Sequence, residues 1–301
     1  MNNKQVRIFG VPMDLGQNRR GVDMGPSAVR YAQLHEKLNA LGYTALDEGN
    51  IIVAQAEEAQ PANPLNKNAH FLPQVTQVCQ AIYDAISGRW QDDDFGLFIG
   101  GDHSISIGTV AAVAARKNIG VLWVDAHTDM NTPESSPSGN IHGMSLAVLL
   151  GQGAPELVNI GSAGAKLKPE QVAVVGVRSV DRVERLRVKD NGIAVYTMRD
   201  IDEEGIASIA NQVLAQFADR DAIHVSFDLD SCDPRYAPGV GTPVMGGLNY
   251  REAHLLMELL ADSGKVCSMD MVEINPILDN RNQTAEIGVE MLLSIFGQQI
   301  I

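Results

Sequence analysis

The chain reads as an α/β protein, a single three-layer α-β-α domain over residues 1–301 on a mainly parallel sheet of about eight strands. Three observations predict this. Short apolar runs alternate with helical-period segments from end to end, the βαβ pattern of a parallel sheet covered on both faces. Runs such as Gly96-Leu97-Phe98-Ile99 and Val121-Leu122-Trp123-Val124 are apolar throughout, as strands buried on both faces must be. Three of the runs end abruptly in ionisable residues, and open α/β sheets bind ligands beyond the carboxyl ends of their strands.

Val6–Val11 reads as the first strand. Gly25-Pro26-Ser27 opens a helix to about Leu41, with Pro26 where a missing N–H costs nothing. Thr44–Asn50 is the second strand, and Val53–Ala69, rich in Ala, Gln, Glu, Asn and Pro, is a surface loop. A helix over Phe71–Gly88 precedes the strand at Leu97, and a helix over Ser104–Arg116 precedes the strand at Val121. The Ser/Pro/Gly-rich loop Thr132–His142 is long enough to suggest a role of its own. Strands at Val172–Val177, Ala194–Thr197, Ala222–Asp228 and Val266–Val272 follow, separated by helical patterns near Val180–Asn191, Ile201–Phe217 and Tyr250–Ser263. A last helix covers about Thr284–Phe296, soon before the final Ile301, which leaves little room for a C-terminal arm between subunits. No composition break marks a second domain, no repeat is evident, and strand order is left open.

With 45% hydrophobic and 20% charged residues, the composition is that of a globular protein able to bury a full core. A net charge of −14 argues against nucleic acid or an anionic membrane surface as partner. Cys79, Cys232 and Cys267 are odd in number and widely spaced, so neither a disulfide framework nor a thiolate zinc site is indicated. The N-terminus has no apolar signal core and no segment has the length of a membrane span, so a cytoplasmic protein is expected.

The chemistry gathers where the strands end. Gly100-Gly101-Asp102-His103 follows one run, Asp125-Ala126-His127-Thr128-Asp129 a second, and Asp228-Leu229-Asp230 a third. Extended backbone sends residues i, i+2 and i+4 to one side, so Asp125, His127 and Asp129 are expected to converge, as are Asp228 and Asp230. Several carboxylates in one apolar-walled pocket repel unless cations neutralise them, which points to two metal ions. Carboxylate and imidazole donors suit Mn²⁺ best, with Fe²⁺, Co²⁺ and Zn²⁺ as alternatives. Paired ions lower the pKa of a shared water and supply a nucleophile for carbon or phosphorus. Asp102 is expected to orient its turn, and His35, His70, His224 and His254 to be packed or hydrogen-bonded. Gly100-Gly101 lacks the Lys-Ser/Thr of a phosphate loop, and Cys232 is expected to be a small buried hydrophobe.

These segments resemble the three metal-binding signatures of the ureohydrolases, and Asp129-Met130-Asn131-Thr132-Pro133 with Ser138-Gly139-Asn140-Ile141-His142-Gly143 resembles the arginase family in particular. The likeness runs from Pro12-Met13-Asp14-Leu15-Gly16 through Gly241-Thr242-Pro243 to Glu273-Ile274-Asn275-Pro276. It implies the arginase-like fold and hydrolysis of L-arginine to L-ornithine and urea by a hydroxide bridging two Mn²⁺ per subunit. It implies that His103, Asp125, Asp129 and Asp228 hold one ion and Asp125, His127, Asp228 and Asp230 the other. Asp129 is then also the carboxylate that bonds the nucleophile, His142 a proton shuttle, and Glu273 the partner of the guanidinium. Asn131, Ser136 and Ser138 correspond to the α-carboxylate clamp, with Ser136 where Thr is frequent, and Asn140 belongs to the same segment. Asp181 and Glu184 match acids near the α-amino group, and Thr242 lines the same pocket. The resemblance also implies a homo-oligomer, trimer or hexamer, with Arg251-Glu252 resembling a subunit-contact pair. Two alternatives stand beside it. One is a related ureohydrolase such as agmatinase, whose substrate lacks the α-carboxylate that Asn131, Ser136 and Ser138 would hold. The other is a metal-binding paralogue without turnover, which would need neither His142 nor Glu273.

Overall fold

The computed structural model describes residues 5–57 and 68–298. In chain order its elements are β1 (Gln5–Val11), α1 (Gly25–Tyr31), α2 (Leu34–Ala40), β2 (Thr44–Asn50), α3 (Leu72–Arg89), β3 (Phe95–Gly100), α4 (Ser106–Ala114) and β4 (Ile119–Val124). They continue as α5 (Ser145–Leu149), α6 (Pro155–Val158), β5 (Val172–Val177), α7 (Arg182–Asn191), β6 (Ala194–Thr197), α8 (Met198–Glu204) and α9 (Ile206–Gln216). The last four are β7 (Ala222–Asp228), α10 (Tyr250–Ser263), β8 (Val266–Val272) and α11 (Gln283–Ile295). Among the described residues no helix is long and apolar enough to cross a membrane.

The eight strands form one sheet in the order β2-β1-β3-β8-β7-β4-β5-β6, and every adjacent pair is parallel. Parallel strands need crossovers, and these cover both faces. One core layer joins the sheet to α1, α2 and α8–α11 through residues such as Leu34, Ile209, Leu256 and Leu292. The other joins it to α3–α6 through Val78, Ile82, Val110 and Leu146, with Val188 of α7 packed at its margin. The central strands β3, β4, β5, β7 and β8 are buried at every position, which is why their sequences do not alternate.

Helix periodicity explains most of the rest. In α3, Leu72, Val75, Val78, Cys79, Ile82 and Ile86 fall on one buried stripe. Helix α10 begins at a capping box between Asn249 and Glu252 and ends at left-handed Gly264. Two expected helices are each divided. The segment expected to run from Gly25 to Leu41 is interrupted at Gln33, whose φ is 65°, so α1 and α2 can each turn an apolar face to the sheet. The Ile201–Phe217 segment is interrupted at Gly205, with φ 82° and ψ 146°, and the first piece starts at Met198 on a Thr197–Asp200 capping box. Both patterns are continuous in hydrophobic period, which is why the breaks escape a periodicity reading. The loop expected over Val53–Ala69 lies outside the described residues at positions 58–67.

The sheet order sets the location of the site. β3 and β4 follow one another in sequence, yet β8 and β7 stand between them, and the chain builds outward in opposite directions from this centre. The carboxyl ends of β3, β8, β7 and β4 therefore lie side by side at the place where α/β sheets open a crevice. Gly101, just past β3, allows the closest approach there. A Cβ on it would lie 2.4 Å from the Met13 carbonyl oxygen and 2.7 Å from that of Val11.

Candidate metal centre

His103 and His127 are the two poles of the site. His103 Nδ1 lies 3.2 Å from Asp125 Oδ2, 3.1 Å from Asp129 Oδ2 and 3.3 Å from Asp228 Oδ2. His127 Nδ1 lies 3.4 Å from Asp125 Oδ1 and 3.1 Å from Asp230 Oδ2. Asp125 thus turns one carboxylate oxygen to each imidazole. His103, Asp125 and Asp129 form one cluster of metal-binding geometry, and Asp125, His127 and Asp230 a second. Asp228 sits between Asp230 and His103, its Oδ1 accepting from the Asp230 backbone N–H at 2.7 Å.

The convergence is real, but its cause differs from the one expected. Fully extended backbone would carry Asp129 about 13 Å beyond Asp125, yet both carboxylates reach the same nitrogen at 3.2 and 3.1 Å. After Val124 the chain leaves the strand and bends, and Asp129 takes a left-handed φ of 50°. Asp228 and Asp230 likewise meet over a short 3-10 turn, Leu229–Ser231, rather than along a strand.

The donor set fits divalent cations. His103 Nδ1 is buried without a hydrogen-bond partner among the described residues, aimed at three carboxylates. Burial, then repulsion from Asp230 and Asp125, pushes the Asp228 carboxyl well above its ordinary range. Burial and Asp125 push Asp129 up to about 7. Burial works against charge on His127, but Asp230 and Asp125 outweigh it and drive the imidazole up to about 12. Acids pushed towards protonation by burial and by one another, with two imidazole nitrogens turned inward, are what a pair of cations would relieve.

Neighbouring side chains fix the ligands. Trp123 stacks on His103 with ring centroids 4.1 Å apart and donates its indole N–H to Asp125 Oδ2 at 3.0 Å. The far nitrogen of His103 lies 2.9 Å from Ser226 Oγ, and Ser226 donates to Asp270 Oδ2 at 3.3 Å. Asp270 also receives Thr109 Oγ1 at 2.9 Å and sits 3.1 Å from His224 Nε2. Arg178 spans the back of the site, donating to the carbonyls of Gly176, Asp230, Ser231, Cys232 and Val244. Trp123, Ser226 and Arg178 carry no metal-ligand signature in the sequence. Trp123 and Ser226 stand two positions before Asp125 and Asp228, and period-two spacing was the signal that both face the ligands.

A cleft of about 290 Å³ opens over the cluster, and His127, Asp129, Asn131, Ser136, Ser138, Asn140, His142, Asp181, Glu184 and Thr242 are among its walls. Asp181 caps α7, accepting from Val183 and Glu184 N–H groups, and receives Asn131 Nδ2 at 2.9 Å. Buried Glu184 accepts from Thr128 Oγ1 at 2.6 Å and the Met130 N–H at 3.1 Å. Thr242 donates to Asp230 Oδ2 at 2.7 Å. Ser136 and Ser138 accept from the N–H groups of Gly139 and Asn140. His70 braces this loop from outside, its Nε2 3.0 Å from the Ser138 carbonyl oxygen.

Glu273 lies beneath the cleft, fully buried, in a left-handed conformation with φ 66°. Its carboxylate is 3.0 Å from His142 Nδ1, accepts from the His103 N–H at 2.9 Å and receives Gln17 Nε2 at 3.0 Å. Burial opposes its charge, but His142 and the His103 N–H outweigh it and hold the carboxyl below its ordinary range. Through the same pair, and against burial, His142 is raised to about 9. Asp102 orients its turn as expected, accepting from the N–H groups of Gly16 and Ser104. Cys232 is buried and its thiol pushed up to about 12, chiefly by desolvation, so it is inert. His35, His224 and His254 are hydrogen-bonded within the fold.

A parallel α/β sheet carrying two His/Asp clusters at its central carboxyl edge, under a polar cleft with a buried carboxylate, defines a binuclear metallohydrolase of the ureohydrolase type. The arginase family model matches residues 4–297. The chain is 47% identical to the arginase of Bacillus caldovelox over 300 residues, covering 99% of this chain and 100% of that one. It is also 47% identical to the arginase of Bacillus subtilis strain 168, with the same coverage. The native structure of the Bacillus caldovelox arginase superposes with a TM-score of 0.95 at 47% identity, over 99% of this chain and 100% of that one. The Entamoeba histolytica arginase in complex with L-ornithine superposes with a TM-score of 0.90 at 32% identity, over the same shares. The chain belongs to the arginase family.

Proposed function

We propose that this protein is a manganese-dependent arginase, hydrolysing the guanidinium group of L-arginine to L-ornithine and urea within a single domain over residues 1–301. The observation that carries the reading is the coexistence of two metal clusters sharing Asp125 with a buried carboxylate, Glu273, beneath the same cleft. Guanidinium keeps its charge at any workable pH and loses resonance when attacked, so water alone is a poor nucleophile. Two bound Mn²⁺ ions supply the activated water that this chemistry requires. His103, Asp125, Asp129 and Asp228 would hold one ion, and Asp125, His127, Asp228 and Asp230 the other.

The remaining work belongs to the chain. Glu273 grips the N–H fork of the guanidinium and fixes its carbon over the metal cluster. Asn131, Ser136 and Ser138, with Asn140, hold the α-carboxylate, while Asp181, Glu184 and Thr242 take the α-amino end. After attack, collapse to urea requires a proton on the departing δ-nitrogen, and the Asp129 carboxyl relays it. His142, a partly exposed wall of the cleft 3.0 Å from Glu273, exchanges the remaining proton with solvent.

Agmatinase activity fits less well, because a clamp built to pair an α-carboxylate discriminates against a ligand without one. A paralogue without turnover would leave His142 and Glu273 without purpose. Manganese-loaded protein should release urea from arginine, a His127→Asn control should not, and kcat/KM should favour arginine over agmatine. Absence of urea, or preference for agmatine, removes the assignment. Cytoplasmic residence is supported by cysteine usage, with Cys79 and Cys232 buried as thiols. A homo-oligomer, trimer or hexamer, is proposed on the family resemblance alone, because Arg251 pairs with Glu258 and Glu252 is used in the helix cap within one chain. Light scattering tests the assembly.

A further inference from the structure

Gln17 has no role in the chemistry described so far, yet it is buried and its Nε2 donates to Glu273 Oε2 at 3.0 Å. The carboxylate decides which end of the amide is which, since only the NH₂ group can donate to it. The carbonyl end is thereby forced away from Glu273, and Gln17 Oε1 is buried with no donor among the described residues. A glutamine retained for packing or to close a local network would be satisfied at both ends, because an orphaned buried acceptor is costly. The acceptor therefore awaits a donor that arrives from outside the chain.

Gly241 is the second observation. It adjoins Thr242 of the cleft wall, and a Cβ on it would meet Gln17 Oε1 at 2.6 Å and Glu273 Oε2 at 3.4 Å. The two acceptors thus flank one small space that only glycine leaves open. Its φ is not in the left-handed region, so close approach of the amide, not backbone conformation, is what the glycine serves.

We propose that Gln17 is a guanidinium-recognition residue: it holds Glu273 in place through Nε2 and accepts a guanidinium N–H on Oε1. Guanidinium carries donors only, five N–H groups in a fixed fork, which matches a carboxylate and an amide oxygen side by side. The inference rests on the proposed arginine reading and deepens it, naming a group that recognises the substrate's reacting end rather than its amino-acid end.

Two variants separate the amide from its surroundings. Gln17→Met keeps the length and removes both hydrogen-bonding ends. Gly241→Ala leaves Gln17 intact but places a methyl group against its flexible tip, displacing it from Glu273. Kinetics with arginine are measured for each, together with calorimetric binding of L-ornithine, which has the amino-acid end but no guanidinium, and with bound manganese. The expected result is a rise in KM for arginine of about tenfold to a hundredfold, the loss of one hydrogen bond to a charged group. Ornithine affinity should stay within about twofold, and metal content should be unchanged. Parallel loss of arginine and ornithine affinity, or no change in either, overturns the inference while wild-type urea release persists. If wild-type protein releases no urea from arginine, the functional reading itself fails, and this inference with it.

Discussion

Replacing Ser226 by alanine tests whether the buried relay behind His103 tunes the metal centre. With Nδ1 presented to the carboxylates, the remaining proton of His103 sits on Nε2 and is donated to Ser226 Oγ at 2.9 Å. Ser226 passes its own proton to Asp270 Oδ2 at 3.3 Å, and Asp270 keeps Thr109 and His224 as partners when the serine is lost. The deletion strands the His103 N–H and takes the Ser106 hydroxyl's partner at 3.0 Å, both in a fully buried site, and each stranded group costs about 1–3 kcal/mol in stability. For a chain of this size that lowers Tm by a few degrees. The metal should feel it more selectively. Removing the partner that orients a ligating histidine weakens metal binding about 10–100-fold, and here the effect falls on the ion served by His103. Competition between the protein and a chelator of known manganese affinity, followed by metal analysis, should show one of the two ions lost early. The activity at saturating manganese should remain close to wild type. Two ions held as tightly in Ser226→Ala as in wild type would refute the relay, and early loss of the His127 ion would refute the assignment of His103 to the other.

Other perturbations separate binding from chemistry. Glu273→Gln is expected to retain both ions by metal analysis but to lose activity by about a hundredfold or more, as breaking a buried charge pair costs about 2–5 kcal/mol; loss of metal together with activity would make Glu273 a structural group. Asp228→Ala should reduce occupancy of both ions, since its carboxylate lies between His103 and Asp230; titration showing one ion fully retained would end its bridging role. Ser138→Ala should raise KM for arginine by about tenfold, the loss of one hydrogen bond to a charged carboxylate, and leave agmatine kinetics alone; equal effects on both substrates would remove Ser138 from the clamp.

The strands and the ligands were legible because both obey short-range rules. β5, β6, β7 and β8 stand where their apolar runs predicted, and each cluster follows a strand end. Strand order was not legible, because parallel neighbours are joined by long crossovers and carry no local mark of who pairs with whom. The breaks at Gln33 and Gly205 escaped for a different reason: hydrophobic period continues across them while the backbone does not. Supporting residues were hidden by their company. Trp123 and Ser226 sit inside runs that read as plain strand, and only the sheet register, which sets Trp123 beside Ser226 and Ser226 beside Asp270, reveals one polar row. Gln17 lies in a loop far from every cluster in sequence and 256 positions from Glu273.

Asp129 and Glu273 hold left-handed conformations, φ 50° and 66°, that cost an ordinary residue about 1–2 kcal/mol each. Both carboxylates follow a central strand, and an extended continuation would carry each of them up and out of the crevice. Reversing the backbone at the acid itself turns Asp129 back onto His103 and Glu273 down beneath His142. Glycine would adopt these angles without strain but would remove the carboxylates, so no substitution relieves the strain and keeps the chemistry. The surroundings must enforce it instead. The Asp129 carbonyl accepts from Ala147 at 3.1 Å, and the Glu273 N–H donates to the Gly101 carbonyl at 2.9 Å, so each strained residue is tied to a neighbouring segment, α5 and the turn after β3. Stability is thereby spent where two carboxylates must face inward, and the neighbouring β3 and α5 hold them there.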